Sequence, residues 1–201
     1  MLVAVLLTAA LTAGCSGGDK STTSAPTARP TPLAKLDAAR IRVARAAFCD
    51  RVGTGEVRRA LGAEPDTDES WGNGDPVPSP SATGSAGSGD VGHELGCGWT
   101  TSTGTAARAW VFARPVTAQL AGTLVAQAGR RPGCTASQDG VFGRPAVLQT
   151  CTDAAGTARV RRAGLFGDTW LTCELTGPTA SRPRTRLDAW CAAVVAALDV
   201  G

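Results

Sequence analysis

The chain has no Tyr, one His (His93), one Met and only two Lys, Lys20 and Lys35, in 201 residues. The single His removes most acid–base and metal chemistry, because a Ser or Cys nucleophile needs a base within hydrogen-bond reach, usually His. His93 closes a Gly-rich stretch, which suits a surface residue better than a catalytic one. There is no Cys-x-x-Cys, no Cys/His cluster, no phosphate-binding Gly-rich loop and no Gly-x-Gly-x-x-Gly. No cofactor, no metal and no catalytic residue are therefore expected. No apolar run approaches the roughly 20 residues of a spanning helix. A net charge of +3 is too mild for nucleic acid, which needs a concentrated basic stripe. Cationic residues are almost all Arg, 18 against two Lys, and with the Ala, Gly and Pro content this points to a high-GC coding bias.

Cysteine is the residue in surplus. Seven is an odd count, and one must be explained apart from any disulfide framework. Residues 2–13, LVAVLLTAALTA, are uncharged and nearly all apolar, the length of a secretory signal core. They run into Leu11-Thr12-Ala13-Gly14-Cys15, followed by Ser16-Gly17-Gly18. This resembles the lipobox of bacterial lipoproteins, whose Cys sulfur takes a diacylglyceryl group before cleavage frees its amine. Thr12 stands where Leu is commonest, with Leu11 one place earlier. The basic stretch that usually precedes such a core is missing, and the expectation is a translation start a few codons upstream. The resemblance implies a signal peptide over 1–14, Cys15 as the lipidation site, and a membrane partner through the acyl chains. Two or more chains anchor stably where one does not.

Residues 15–32 are rich in Ser, Thr and Pro and read as a flexible tether. A domain is expected over 33–201. Leu36, Val43 and Ala47 share a helical stripe beside Ile41, Ala44 and Phe48, predicting a helix from Leu33 to near Cys49. A short helix follows over 55–61, with Thr54 as cap and Gly62 as stop. Residues 63–94 read as a disordered insertion. Trp71 within it is either docked on the domain surface or a partner contact, and docking is expected because an exposed Trp is a liability. Beyond Leu95 the pattern is mostly β: Cys97 and Trp99 on one strand face, then 106–114, 134–137, 146–152, 157–165 and 169–175. Asp139-Gly140 and Gly167-Asp168 are hairpin signals. Helices are expected over 117–128 and at the C-terminus, where Leu187, Trp190, Cys191, Val194 and Leu198 form an amphipathic stripe behind a Thr185-x-x-Asp188 capping box. The predicted fold class is α+β: a two-layer sandwich, an antiparallel sheet with helices packed on one face, stapled by disulfides.

Export would oxidise the six remaining cysteines, which allow 15 connectivities. Face periodicity favours Cys173 with Cys191, Cys134 with Cys151 across a hairpin, and Cys49 with Cys97. The candidate binding site is a set of guanidinium groups, Arg108, Arg114, Arg159 and Arg161, beside Trp110, suited to an anion. The more economical alternative is a solvated sheet face on which Arg stems cover apolar surface.

Cys49, Val57–Gly62 (VRRALG) and Cys97-Gly98-Trp99, with the lipobox and tether, follow a plan similar to small uncharacterised lipoproteins of mycobacteria and streptomycetes. The resemblance implies no catalytic residue. The expectation is a monomeric, non-catalytic, lipid-anchored protein on the extracytoplasmic face of the cell membrane. Its domain would bind an envelope protein or a small ligand. The alternatives are a carrier of an apolar or lipid-like molecule, which needs a large apolar cavity, and a cell-wall hydrolase, which needs convergent carboxylates with perturbed pKa values.

Overall fold

The structure is a computed structural model that describes residues 29–76, 92–179 and 183–201. The signal segment, Cys15 and the tether as far as residue 28 lie outside the described residues, as does 77–91 of the expected insertion. No helix among the described residues is long and apolar enough to cross a membrane.

Seven strands make one antiparallel sheet in the order β1-β2-β3-β7-β6-β5-β4. They are β1 (Thr67–Trp71), β2 (Glu94–Thr100), β3 (Ala106–Phe112), β4 (Cys134–Gln138), β5 (Ala146–Thr152), β6 (Thr157–Phe166) and β7 (Thr169–Pro178). Three helices accompany them: α1 (Thr54–Leu61), α2 (Ala118–Ala128) and α3 (Pro183–Leu198). The meander β4–β7 runs back from the far edge until β7 lies beside β3, and α2 makes the crossover between the two halves. Gly167, at φ +64°, supplies the left-handed residue of the two-residue β6–β7 hairpin.

One face of the sheet is closed. Ala107, Ala109 and Val111 of β3, Leu171, Cys173 and Leu175 of β7, and Val160 of β6 meet Leu187, Trp190, Val194 and Leu198 of α3. Trp190 stacks edge-on against Trp99 with ring centres 5.6 Å apart, and its Nε1 donates to the Arg108 carbonyl at 3.1 Å. α1 lies beside α3, burying Val57, Ala60 and Leu61, and ends at Gly62, whose N–H closes on the Arg58 carbonyl. The disulfides Cys49–Cys97 and Cys173–Cys191 both lie in this core. The third, Cys134–Cys151, joins directly paired residues of β4 and β5. All three pairings coincide with those favoured by face periodicity.

Several expectations change. The helix from Leu33 to Cys49 does not form. That stretch holds 3₁₀ turns at Leu33–Lys35 and Cys49–Arg51 and a bridge between Val43 and Asp199. Ala44 N–H donates to the Leu198 carbonyl, and Val200 N–H to that of Arg42. Pairing with the chain end thus takes the backbone bonds a helix would need, while Leu33, Ile41, Val43 and Phe48 still reach the core. The insertion is not structureless throughout 63–94, because Thr67–Trp71 is an edge strand in register with β2. β3 stops at Phe112, short of Arg114. α3 starts two residues before Thr185, which is therefore not its cap.

The helices do not share one face. α2 covers the opposite side, where Ala121 and Ala128 pack with Val147, Ala163, Leu165 and Trp170 in a second, smaller core. A central strand buried on both sides makes this possible: seven consecutive residues of β7, from Thr169 to Leu175, are buried.

Candidate functional site

The site lies on this second face, where α2 covers only part of the sheet. Its floor begins with Gly96-Cys97-Gly98 of β2. Cys97 points into the closed core, so both glycines present bare backbone to the other side. A Cβ at Gly96 would collide with the Trp71 indole and come within 2.9 Å of the Ala109 carbonyl; one at Gly98 would come within 2.6 Å of the Glu69 carboxylate. The glycines are the recess into which β1 lays Trp71 and Glu69.

The strand registers then line up two rows across the sheet. One runs Gln149, Arg161, Glu174, Arg108, Gly98, Glu69, and the next runs Val147, Ala163, Thr172, Trp110, Gly96, Trp71. α2 is fixed above β5 by Gln149, whose Nε2 donates to the Ala128 carbonyl at 2.6 Å. Two hollows flank Trp110 and Glu94, which line both. The inner one, about 340 Å³, lies under α2 and is walled by Arg131, Arg161, Phe112 and Trp170. The outer one, about 570 Å³, is walled by Trp71, Glu69, Asp75, Arg108 and Glu174. Together they form a groove of aromatic and charged side chains.

Its charges are incompletely paired. Glu174 is 7% exposed, and Arg159 Nε stands 3.8 Å from its carboxylate, beyond hydrogen-bond reach. Burial pushes the Glu174 carboxyl above its ordinary pKa despite Arg159, Arg161, Arg108 and Arg131 nearby. Glu94 is raised too, by burial, with the hydrogen bond from Trp71 opposing. Arg161 is lowered by burial, with Glu174 opposing. The Arg161 Nε and Gln149 Oε1 atoms are buried without a hydrogen-bond partner among the described residues. Such groups are costly unless something binds them.

Of the four arginines singled out from sequence, three come together around Glu174. Arg108 also pairs with Glu69 at 3.1 Å, and Arg159 faces Glu174. Arg114 is exposed beyond the end of β3 and does not join them. Trp71 is docked, as expected, and also lines the groove. Sequence reasoning missed Glu94, Glu174, Arg131 and Trp170. A usable signal existed for one of them: Glu174 is the lone charge in an otherwise apolar run around Cys173. His93 is exposed at the β1–β2 hairpin, with Nδ1 3.3 Å from Asn73 Oδ1. No group of His, Cys, Asp or Glu among the described residues could hold a metal ion.

Comparison with protein-family models finds no match, and a search of curated protein sequences finds none.

Proposed function

We propose that this protein is a non-catalytic, lipid-anchored domain on the extracytoplasmic face of the cell membrane, monomeric, and that it binds a polar ligand in the groove between α2 and β1. The lipobox-like Leu11–Cys15 run and the tether behind it support the anchor. Three disulfides in a chain of this size support an oxidising compartment. The single observation that carries the binding reading is the groove itself: Trp71, Trp110, Glu94, Glu174 and Arg161 line a recess that the other described residues leave open. An apolar carrier fits less well, since Leu171, Leu175 and Trp190 fill the space between sheet and α3 to within 1% exposure.

A cell-wall hydrolase is the second reading, favoured by two glutamates with raised pKa in one hollow. Register opposes a retaining mechanism. Glu94 and Glu174 lie two strands and four residues apart, or about 16 Å between Cα atoms at ~4.8 Å per strand and ~3.3 Å per residue. A retaining pair needs about 5.5 Å between carboxyl groups, which two glutamates stretched toward each other do not reach. Cys15→Ser tests the anchor: the variant should leave the membrane fraction, and retention would contradict the proposal. Turnover of cell-wall glycan by the purified domain, lost in Glu174→Gln, would replace the binding reading with the hydrolase.

A further inference from the structure

The two halves of the groove differ in charge. Among the described residues, the outer hollow sets Glu69, Asp75, Glu94 and Glu174 against Arg108 alone, and Arg108 is already held by Glu69. Trp71 and Trp110 line the same hollow, and indole faces attract cations. The inner hollow reverses the balance, with Arg131 and Arg161 against the shared Glu94. Arg161 carries a buried Nε with no hydrogen-bond partner among the described residues, and a guanidinium fork matches a carboxylate. Glu174 lies between the halves, nine-tenths buried, with no hydrogen bond to the nearest guanidinium.

We infer, on the reading that this groove is the binding site, that its ligand is a short extended peptide with free ends, its ammonium among Trp71, Trp110 and Glu94 and its carboxylate on Arg161 and Arg131. The span fits. Arg161 and Trp110 lie two strands and two residues apart, and Trp71 lies two strands further, which places the subsites about 12 to 20 Å apart at Cα level. An extended peptide covers up to about 3.3–3.6 Å per residue, so four residues reach about 13 Å. A monoanion would leave the acidic half unmatched, and a monocation the arginines.

The test uses the purified exported chain and four probes: tetraglycine, N-acetyl-tetraglycine, tetraglycine amide and the neutral sugar cellotetraose. Binding is read by calorimetry and by tryptophan fluorescence. Tetraglycine should bind, each capped form should bind at least about tenfold more weakly, and cellotetraose should not bind. Arg161→Gln should erase the difference between tetraglycine and its amide, and Glu94→Gln the difference between tetraglycine and its acetylated form. Near-UV circular dichroism and intact mass verify the fold and bridges of each variant. Equal binding of the capped and free peptides would overturn the inference. Tight binding of cellotetraose would overturn it while leaving the groove as the binding site. Failure of all four probes would overturn the inference alone, since the groove reading requires none of them.

Discussion

Arg161 and Arg162 are neighbours in β6, yet they sit on opposite faces of the sheet and meet opposite fates. Arg162 turns to the closed face, with its side chain 11% exposed, and is held by Asp139 and by Asp188 of α3, the latter at 2.8 Å. Those two carboxylates raise its pKa against the effect of burial. Arg161 turns to the groove, where burial lowers its pKa and its Nε has no partner among the described residues. The residue type is the same in both places; what differs is whether the fold supplies the complement. On the closed face Arg162 is paired and lies beside a packed core, so that face accounts for stability. On the groove face Arg161 and Glu174 are desolvated without being fully satisfied among the described residues, a cost that a ligand offsets.

The largest predicted effects lie on the closed face. Arg162→Ala would strand Asp139, whose side chain is 2% exposed, and should cost about 3–5 kcal/mol in a denaturant titration. Trp190→Ala should cost a similar ~3–5 kcal/mol by emptying the contact with Trp99. Among the bridges, removing Cys49–Cys97, with a sequence separation of 48, should cost about 4 kcal/mol on the loop-entropy account, and Cys134–Cys151, with a separation of 17, about 3. Equal losses on chemical melting would show that loop length does not set the order.

Groove-face changes should be smaller in stability and larger in binding. Gly96→Ala should cost about 1–3 kcal/mol by overpacking and push the Trp71 indole out of its recess, visible as a red shift in tryptophan emission. An unshifted spectrum would mean that β1 tolerates the methyl group. The smallest effect is in pH. Glu174 titrates higher in the folded chain than unfolded, so between those two values the native state holds more protons than the unfolded state does. Its contribution to stability is full below the unfolded pKa and is lost as pH climbs through the raised folded value. Glu174→Gln should flatten that decline in a plot of melting temperature against pH. The cations that face it are Arg159, Arg161, Arg108 and Arg131.

Much of the closed face was readable because its signals are local. The Gly167-Asp168 hairpin, the Gly62 stop and the Leu187–Leu198 stripe each need only neighbouring residues, and the paired cysteines follow from which faces those elements bury. β1 was not readable: Thr67-Asp68-Glu69-Ser70-Trp71 has the composition of a loop, and it becomes a strand because β2 offers an edge and two glycine recesses. The segment behind Leu33 misled through its spacing, since Ile41 and Val43 also fit an extended chain with Arg42 outward, and tertiary pairing with Asp199 decides between them. The groove was only half visible. Three of the arginines could be assigned a common sheet face, but the acids that face them come from β1 and β7, and their convergence depends on the strand order. The side of the sheet taken by α2 likewise follows from the crossover, which periodicity within one helix does not encode.

The most direct test of this division sets Arg161→Gln beside Arg162→Gln. Melting temperature and tetraglycine affinity are measured on both. Arg162→Gln should lose several kcal/mol of stability with affinity unchanged at temperatures where it is folded. Arg161→Gln should stay within about 1 kcal/mol of the parent and lose binding. If Arg161→Gln destabilised the chain as much as Arg162→Gln while binding persisted, the groove face would be structural, and the account would be wrong.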